Sequence, residues 1–192
     1  MPFRSRISLW LLAAALCMPC AAGGAAKCRM KSPDVTISGI TLTDSESAVK
    51  VVGASPKLDE SEDDLPHARF VSTNGSQELV LYAHYGAVDD EYAEAEVRVA
   101  GAEALALKDL PLESFKTGRG IELGMSVDQV QALFGTCVKT RQKTGSDLFI
   151  EYEIENADRD NELKAFGYPV YYAEYEFKSR KLVRYRFGFA YP

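Results

Sequence analysis

Two hydrophobic periods alternate along this chain. Ser126 precedes an apolar run at Val127, Val130, Leu133 and Phe134, the spacing of a helix with one buried stripe. Gln129 stands three residues after Ser126, which makes a capping box, and Gly135 follows where a helix-terminating glycine belongs. A helix over Val127 to Phe134 is predicted. The same order occurs earlier, with Thr43 or Asp44 opening a helix over Ser45 to Val52 and Gly53 closing it.

After each helix the period drops to two, the mark of a half-buried strand. Leu148, Ile150, Tyr152 and Ile154 alternate with Phe149, Glu151, Glu153 and Glu155. Tyr171, Ala173, Tyr175 and Phe177 alternate with Tyr172, Glu174, Glu176 and Lys178, and Val183, Tyr185, Phe187, Phe189 and Tyr191 with Arg184, Arg186, Gly188 and Ala190. A weaker strand, Val138 to Lys143, joins the first of these through "TGS". In the earlier half Leu79, Leu81, Ala83 and Tyr85 form an inner face with Val80, Tyr82 and His84 outside. Ala93, Ala95, Val97 and Val99 form the next, with Tyr92, Glu94, Glu96 and Arg98 outside. Residues 101–116 fit either a further strand or a connection. Because the buried positions of the last two strands are odd-numbered, paired numbers must sum to an even value. A three-residue turn over Ser179 to Lys181 satisfies this. It sets Glu176 opposite Arg184, Glu174 opposite Arg186 and Phe177 opposite Val183.

The two halves echo each other. "GITLTDSESAVKVVG", from Gly39, aligns with "GIELGMSVDQVQALFG", from Gly120, roughly half the exported chain apart. The expected fold is therefore α+β, two tandem units of a short helix packed on an antiparallel meander, over 27–112 and 113–192. Gly120, Ile121, Leu123, Gly124, Met125, Ser126, Val130 and Gly135 carry a pattern that resembles the repeat of beta-lactamase-inhibitor-protein-like domains, a fold shared with SmpA/OmlA-type outer-membrane assembly lipoproteins. The first unit departs from it, with Thr43 and Asp44 where the pattern has Gly-Met. The tandem arrangement is closer to the inhibitor than to the single-unit lipoproteins. The resemblance implies a non-enzymatic protein-binding module that meets its partner with the polar sheet face; it carries over no inhibitory residue.

Composition adds a compartment. Arg4 and Arg6, the apolar stretch Ile7 to Met18 and the small residues "CAAGGAA" form the three parts of a secretory signal peptide, residues 1–26. The stretch is shorter than the roughly 18 residues that span a bilayer, so no transmembrane segment is expected. Cleavage after Ala22 or Ala26 fits, and no cysteine has the neighbours of a lipid-attachment site, which points to a periplasmic or secreted protein. Its removal takes away two arginines and no acid, leaving the chain more negative than the −6 of the full sequence. That charge opposes a nucleic-acid partner and suits a basic protein surface. Cys28 and Cys137 then remain, and an oxidising compartment favours their pairing as a disulfide.

The chemical candidates are weak beside this. The glycines of "TGRGIELG" have neither the spacing nor the parallel context of a dinucleotide loop, and no Gly-Lys-Ser/Thr is present. His84, near Asp89, Asp90 and Glu91, reads as a strand-face histidine beside an acidic turn. With only His67 besides, a histidine-rich metal site is not available. A hydrolase built on His84 or on a nucleophilic Cys137 is the least favoured reading. The acidic run Asp59 to Asp64 reads as a solvated loop, or more sharply as a knob for a basic cleft. No cofactor or metal is expected. The candidate partner-binding face is Tyr82, His84, Tyr92 and Glu94 from the first unit with Lys139, Arg141, Phe149, Glu151, Tyr172, Glu174, Arg184 and Arg186 from the second. The function expected is an inhibitor or immunity-type module that occludes a secreted enzyme or toxin, the alternative being an accessory part of envelope assembly.

Overall fold

A computed structural model describes residues 33–53, 56–60, 65–87, 90–135, 137, 139–155 and 167–190. The signal-peptide segment, Cys28, residues 61–64 of the acidic run, Asp89, Val138 and Tyr191 lie outside these. The fold is α+β. A two-stranded hairpin, β1 (Thr36–Ile37) and β2 (Ile40–Thr41), leads into helix α1 (Ser45–Val52). Strands β3 (His67–Ser72), β4 (Gln77–Tyr82) and β5 (Glu94–Val99) follow, then a 3-10 helix at Ala102–Ala106 and the short strand β6 (Lys108–Leu110). The rest is helix α2 (Val127–Phe134) and strands β7 (Thr140–Thr144), β8 (Asp147–Glu155), β9 (Val170–Lys178) and β10 (Lys181–Ala190).

Both helices start and stop where side chains satisfy their orphan backbone groups. The Asp44 carboxylate accepts from Ser47 N (3.3 Å). Ser126 Oγ accepts from Gln129 N (3.3 Å), while Gln129 Oε1 accepts from Ser126 N (2.8 Å). Gly53 and Gly135 end the helices at φ of 83° and 94°, a conformation open to glycine and costly for other residues. Each helix turns two residues fully inward, Ala48 and Val52 from α1 and Val130 and Phe134 from α2. The Phe134 ring lies 5.1 Å from that of Tyr152 and 5.5 Å from that of Tyr175, both on the sheet.

Eight strands form one mixed sheet in the order β6-β3-β4-β5-β10-β9-β8-β7. The meanders β3-β4-β5 and β7-β8-β9-β10 meet by their last strands, which pair antiparallel with Tyr185 opposite Val97 and Phe187 opposite Ala95. The core is continuous across this seam, from Phe70, Leu79 and Leu81 through Val97, Tyr185 and Tyr175 to Ile150. Strand β3 carries no alternation that the sequence made legible, yet it pairs along its length with β4 and, in parallel, with β6.

Four expected placements are corrected. The turn between β9 and β10 has two residues, Ser179 and Arg180, both at positive φ, and sets Lys181 opposite Lys178 and Leu182 opposite Phe177. A bulge at Val183 then restores the even register, so Arg184 faces Glu176 and Arg186 faces Glu174 as the charges demand. Phe177 therefore meets Leu182, not Val183. Tyr85 and Val99 are exposed rather than inward, because each lies at or beyond the end of its strand's contact with the core.

The glycines of "TGRG" serve packing. Gly118 N donates to Thr36 O (3.0 Å), Arg119 N to the buried Asp34 carboxylate (3.0 Å) and Ile121 N to Thr117 Oγ1 (3.1 Å). The loop's amides thus hold an internal carboxylate and the N-terminal hairpin. A Cβ on Gly118 would lie 2.1 Å from Thr36 Oγ1. Gly118→Ala is expected to lose about 1–3 kcal/mol of stability by urea denaturation. Adding Thr36→Ala to the same chain should recover part of the loss, which would be absent if the glycine were needed for its backbone conformation.

Candidate interaction face

The helices cover one face of the sheet, and strand alternation fixes what the other carries. Cross-strand registers arrange its side chains in rows. One row runs Val71, Glu78, Arg98, Arg184, Glu176, Phe149, Gln142 from β3 to β7. The next runs Arg69, Val80, Glu96, Arg186, Glu174, Glu151, and the third His67, Tyr82, Glu94, Gly188, Tyr172, Glu153.

Four arginines and four carboxylates form a lattice over the seam. Arg98 grips Glu78 with two hydrogen bonds, Nε and Nη2 each at 3.0 Å, and Arg69 Nε reaches the same carboxylate at 2.5 Å. Arg184 joins the two meanders through Glu96 (2.8 Å) and also donates to Glu176 (2.7 Å). Arg186 donates from Nε and Nη2 to Glu94 (2.9 and 2.6 Å) and stacks its guanidinium over Tyr82, 4.1 Å from the ring centre. The Tyr172 hydroxyl also bonds Glu94, reaching it across Gly188. A Cβ at Gly188 would fall 2.4 Å from the Ala93 carbonyl oxygen, so only glycine lets the two strands approach here.

Glu78, Glu94 and Glu96 are almost wholly buried, at 1, 4 and 2 % exposure. Burial pushes the Glu78 carboxyl up, but hydrogen bonds from Arg98 and Arg69 outweigh it and hold the group below the ordinary carboxylate range. Burial works against the charge of Arg184 and Arg186 too, and Glu96 and Glu94 respectively overcome it and raise both. Burial, then the Glu94 charge, drives the Tyr172 phenol up. Glu174 is raised by burial, with Glu151 and Glu96 adding to it against Arg184 and Arg186.

The predicted face is assembled in part. Glu94, Tyr82, Arg184, Arg186 and Tyr172 converge in the lattice, but Tyr82 and Glu94 are buried at 4 % and offer little surface. Tyr92 is corrected: it precedes β5 and lies in the hydrophobic core at 1 % exposure. Arg141 is corrected as well, since it pairs opposite Ile150 and so sits on the helix-covered side of the edge strand. Lys139 bonds Glu153 and approaches Glu151 at 3.7 Å. His84 stands past the end of β4, half-buried, with Nε2 donating to the Phe189 carbonyl (3.1 Å). Asp59, the first residue of the acidic run, pairs by backbone with His67 while the residue itself is exposed. Arg69 and Glu78 escaped the sequence because β3 did, although the alternation of Glu78 with Leu79 and Leu81 already placed it outside.

Phe149 and Glu176 border a shallow depression of about 180 Å³ with Gln142 and Thr144. Among the described residues no three His, Cys, Asp or Glu side chains converge as a metal site would need. Compared with family models, curated proteins and solved structures, the chain matches none.

Because the Glu78 pKa is lowered by folding, its contribution is present above the unfolded value, about 4.3, and is lost as pH falls through the folded one. Glu78→Gln should therefore cost about 2–3 kcal/mol at neutral pH. In chemical denaturation at a series of pH values, that gap should close as the pH drops below about 4. A gap unchanged in acid would mean the carboxylate's charge is not what holds Arg69 and Arg98.

Proposed function

We propose that the protein is a non-enzymatic exported binding module built of two repeated units, which occludes a secreted enzyme or toxin with the uncovered sheet face. The observation that carries this is the lattice over the seam. It fixes Arg184, Arg186 and Tyr172 in one arrangement before any partner arrives. Rotamer entropy lost before binding is not lost again on binding, so a pre-set polar face favours recognition. Around the lattice stand half-buried Phe149 and partly exposed Glu151, Glu174 and Glu176, the mix of aromatic and charged groups typical of an interface rim and its anchors. No helix among the described residues is long and apolar enough to cross a membrane.

Immobilised exported chain, challenged with envelope and secreted extracts, should retain an enzyme or toxin whose activity falls when the chain is added back in solution. Phe149→Ala should weaken that inhibition at least roughly tenfold while leaving the thermal midpoint within a few degrees. Retention of no protein at any salt concentration, or of one whose activity is untouched, would overturn the proposal.

Export also bears on the cysteines. Cys137 is disulfide-bonded, and we assign Cys28 as its partner. Thiol labelling of the unfolded, unreduced exported chain should find no free cysteine. Reduction should lower stability by about 2–4 kcal/mol. A labelled Cys28 would sink the pairing.

A further inference from the structure

Among the described residues of the open face, one register position sets two carboxylates directly opposite each other. Glu151 on β8 stands directly opposite Glu174 on β9. Like charges in that position repel. The neighbouring cations are committed elsewhere: Arg184 donates to Glu96 and Glu176, Arg186 to Glu94, and Lys139 to Glu153. Glu174 has Arg184 only at 3.7 Å, Glu151 has Lys139 only at 3.7 Å, and among the described residues neither accepts a side-chain hydrogen bond. The Arg98–Arg184 pair, also like charges set opposite, is by contrast bridged by Glu96 (3.4 and 2.8 Å). One row away, roughly 7 Å along the strands, lie Phe149 and the depression it borders. Asp147 and Lys178 also line that depression. Glu151 and Glu174 thus face each other with only long ion pairs, 3.7 Å each, to offset their charges.

We infer that Glu151, Glu174 and Phe149 form the anchor site for one arginine side chain of a basic partner protein. This rests on the binding role proposed above and names the chemistry of its central contact. The adjoining depression, about 180 Å³ and bordered by Phe149 and Glu176 rather than by Glu151 or Glu174, falls short of the roughly 300 Å³ where small-molecule sites begin, which favours a single side chain laid across the sheet. A guanidinium supplies a planar fork of donors that two facing carboxylates can share, and its stem and charge suit the Phe149 ring. Lysine brings one point charge and no fork. The partner's cation would also cancel the repulsion that the free protein carries, so the site is less stable empty than filled.

The probe is acetyl-Gly-Arg-Gly-amide, titrated into the ¹⁵N-labelled exported chain and followed by amide chemical shifts. The shifts should saturate and centre on Phe149, Glu151, Glu174 and Glu176. The citrulline analogue, isosteric but uncharged, should bind at least roughly tenfold more weakly, and the lysine analogue should fall between. Glu151→Gln and Glu174→Gln should each weaken arginine binding roughly tenfold while raising the thermal midpoint, because each relieves the repulsion. Phe149→Ala should weaken binding without that rise. Equal binding of citrulline, shifts centred elsewhere, no saturable shift, or Gln variants that bind as tightly as the parent would each overturn the site. If the peptide binds here but no enzyme is inhibited, the proposed function fails and the site stands. If inhibition is found and both Gln variants inhibit equally well, the function stands and this anchor fails.

Discussion

The antiparallel pairing of β5 with β10 is the contact on which the molecule depends. It turns two meanders into one sheet, makes their cores continuous through Val97, Tyr185 and Phe187, and brings Glu94 and Glu96 of one meander under Arg186 and Arg184 of the other. Its register admits no slip. A shift by one residue would send Tyr185 and Phe187 to the open face and two arginines into the core. Gly188 makes the close approach at one end of this pairing sterically feasible, and the same missing side chain leaves the gap through which Tyr172 reaches Glu94.

The lattice over the seam is better understood as a device for placing groups than as a source of stability. Removing carboxylates from water is costly, and hydrogen bonds from arginine offset that cost without a large surplus. What the lattice gives is geometry. Four arginines are held by acids beneath or beside them, at the junction where the two meanders meet. The groups nearest the centre of the face, Tyr82 and Glu94, are consumed in doing this. The more exposed groups of this face lie toward β8 and β9, where Phe149 stands and Glu151 faces Glu174.

The strands of the second meander were legible because one of their faces is buried. Tyr171, Ala173, Tyr175 and Phe177 announce both a strand and its orientation. The helices were legible because capping is local, and Asp44, Ser126, Gln129, Gly53 and Gly135 state it within a few residues. Strand β3 was not, because "HARFVS" lies near one edge of the sheet under only the short β6 and mixes polar with apolar residues on both sides. Parity alone does not reveal the turn at Ser179–Arg180, because a bulge rather than an extra turn residue supplies the even register. Alternation does not place Tyr92 or Arg141, because it holds only within a strand: Tyr92 stands before β5 begins, and β7 is too polar to reveal its face.

Sequence alone determined the two helices and the clearly alternating strands β4, β5, β8, β9 and β10, with most of the residues that share a side in each, since these follow from spacing and local hydrogen bonding. It also determined that glutamates and arginines would face each other across β9 and β10. Only the tertiary structure decided that the two halves share a sheet, which carboxylates are buried beneath arginine and which are left facing each other. Those outcomes are set by which strands become neighbours and in what register, and that choice is made by burial summed over the entire chain, which no short stretch contains.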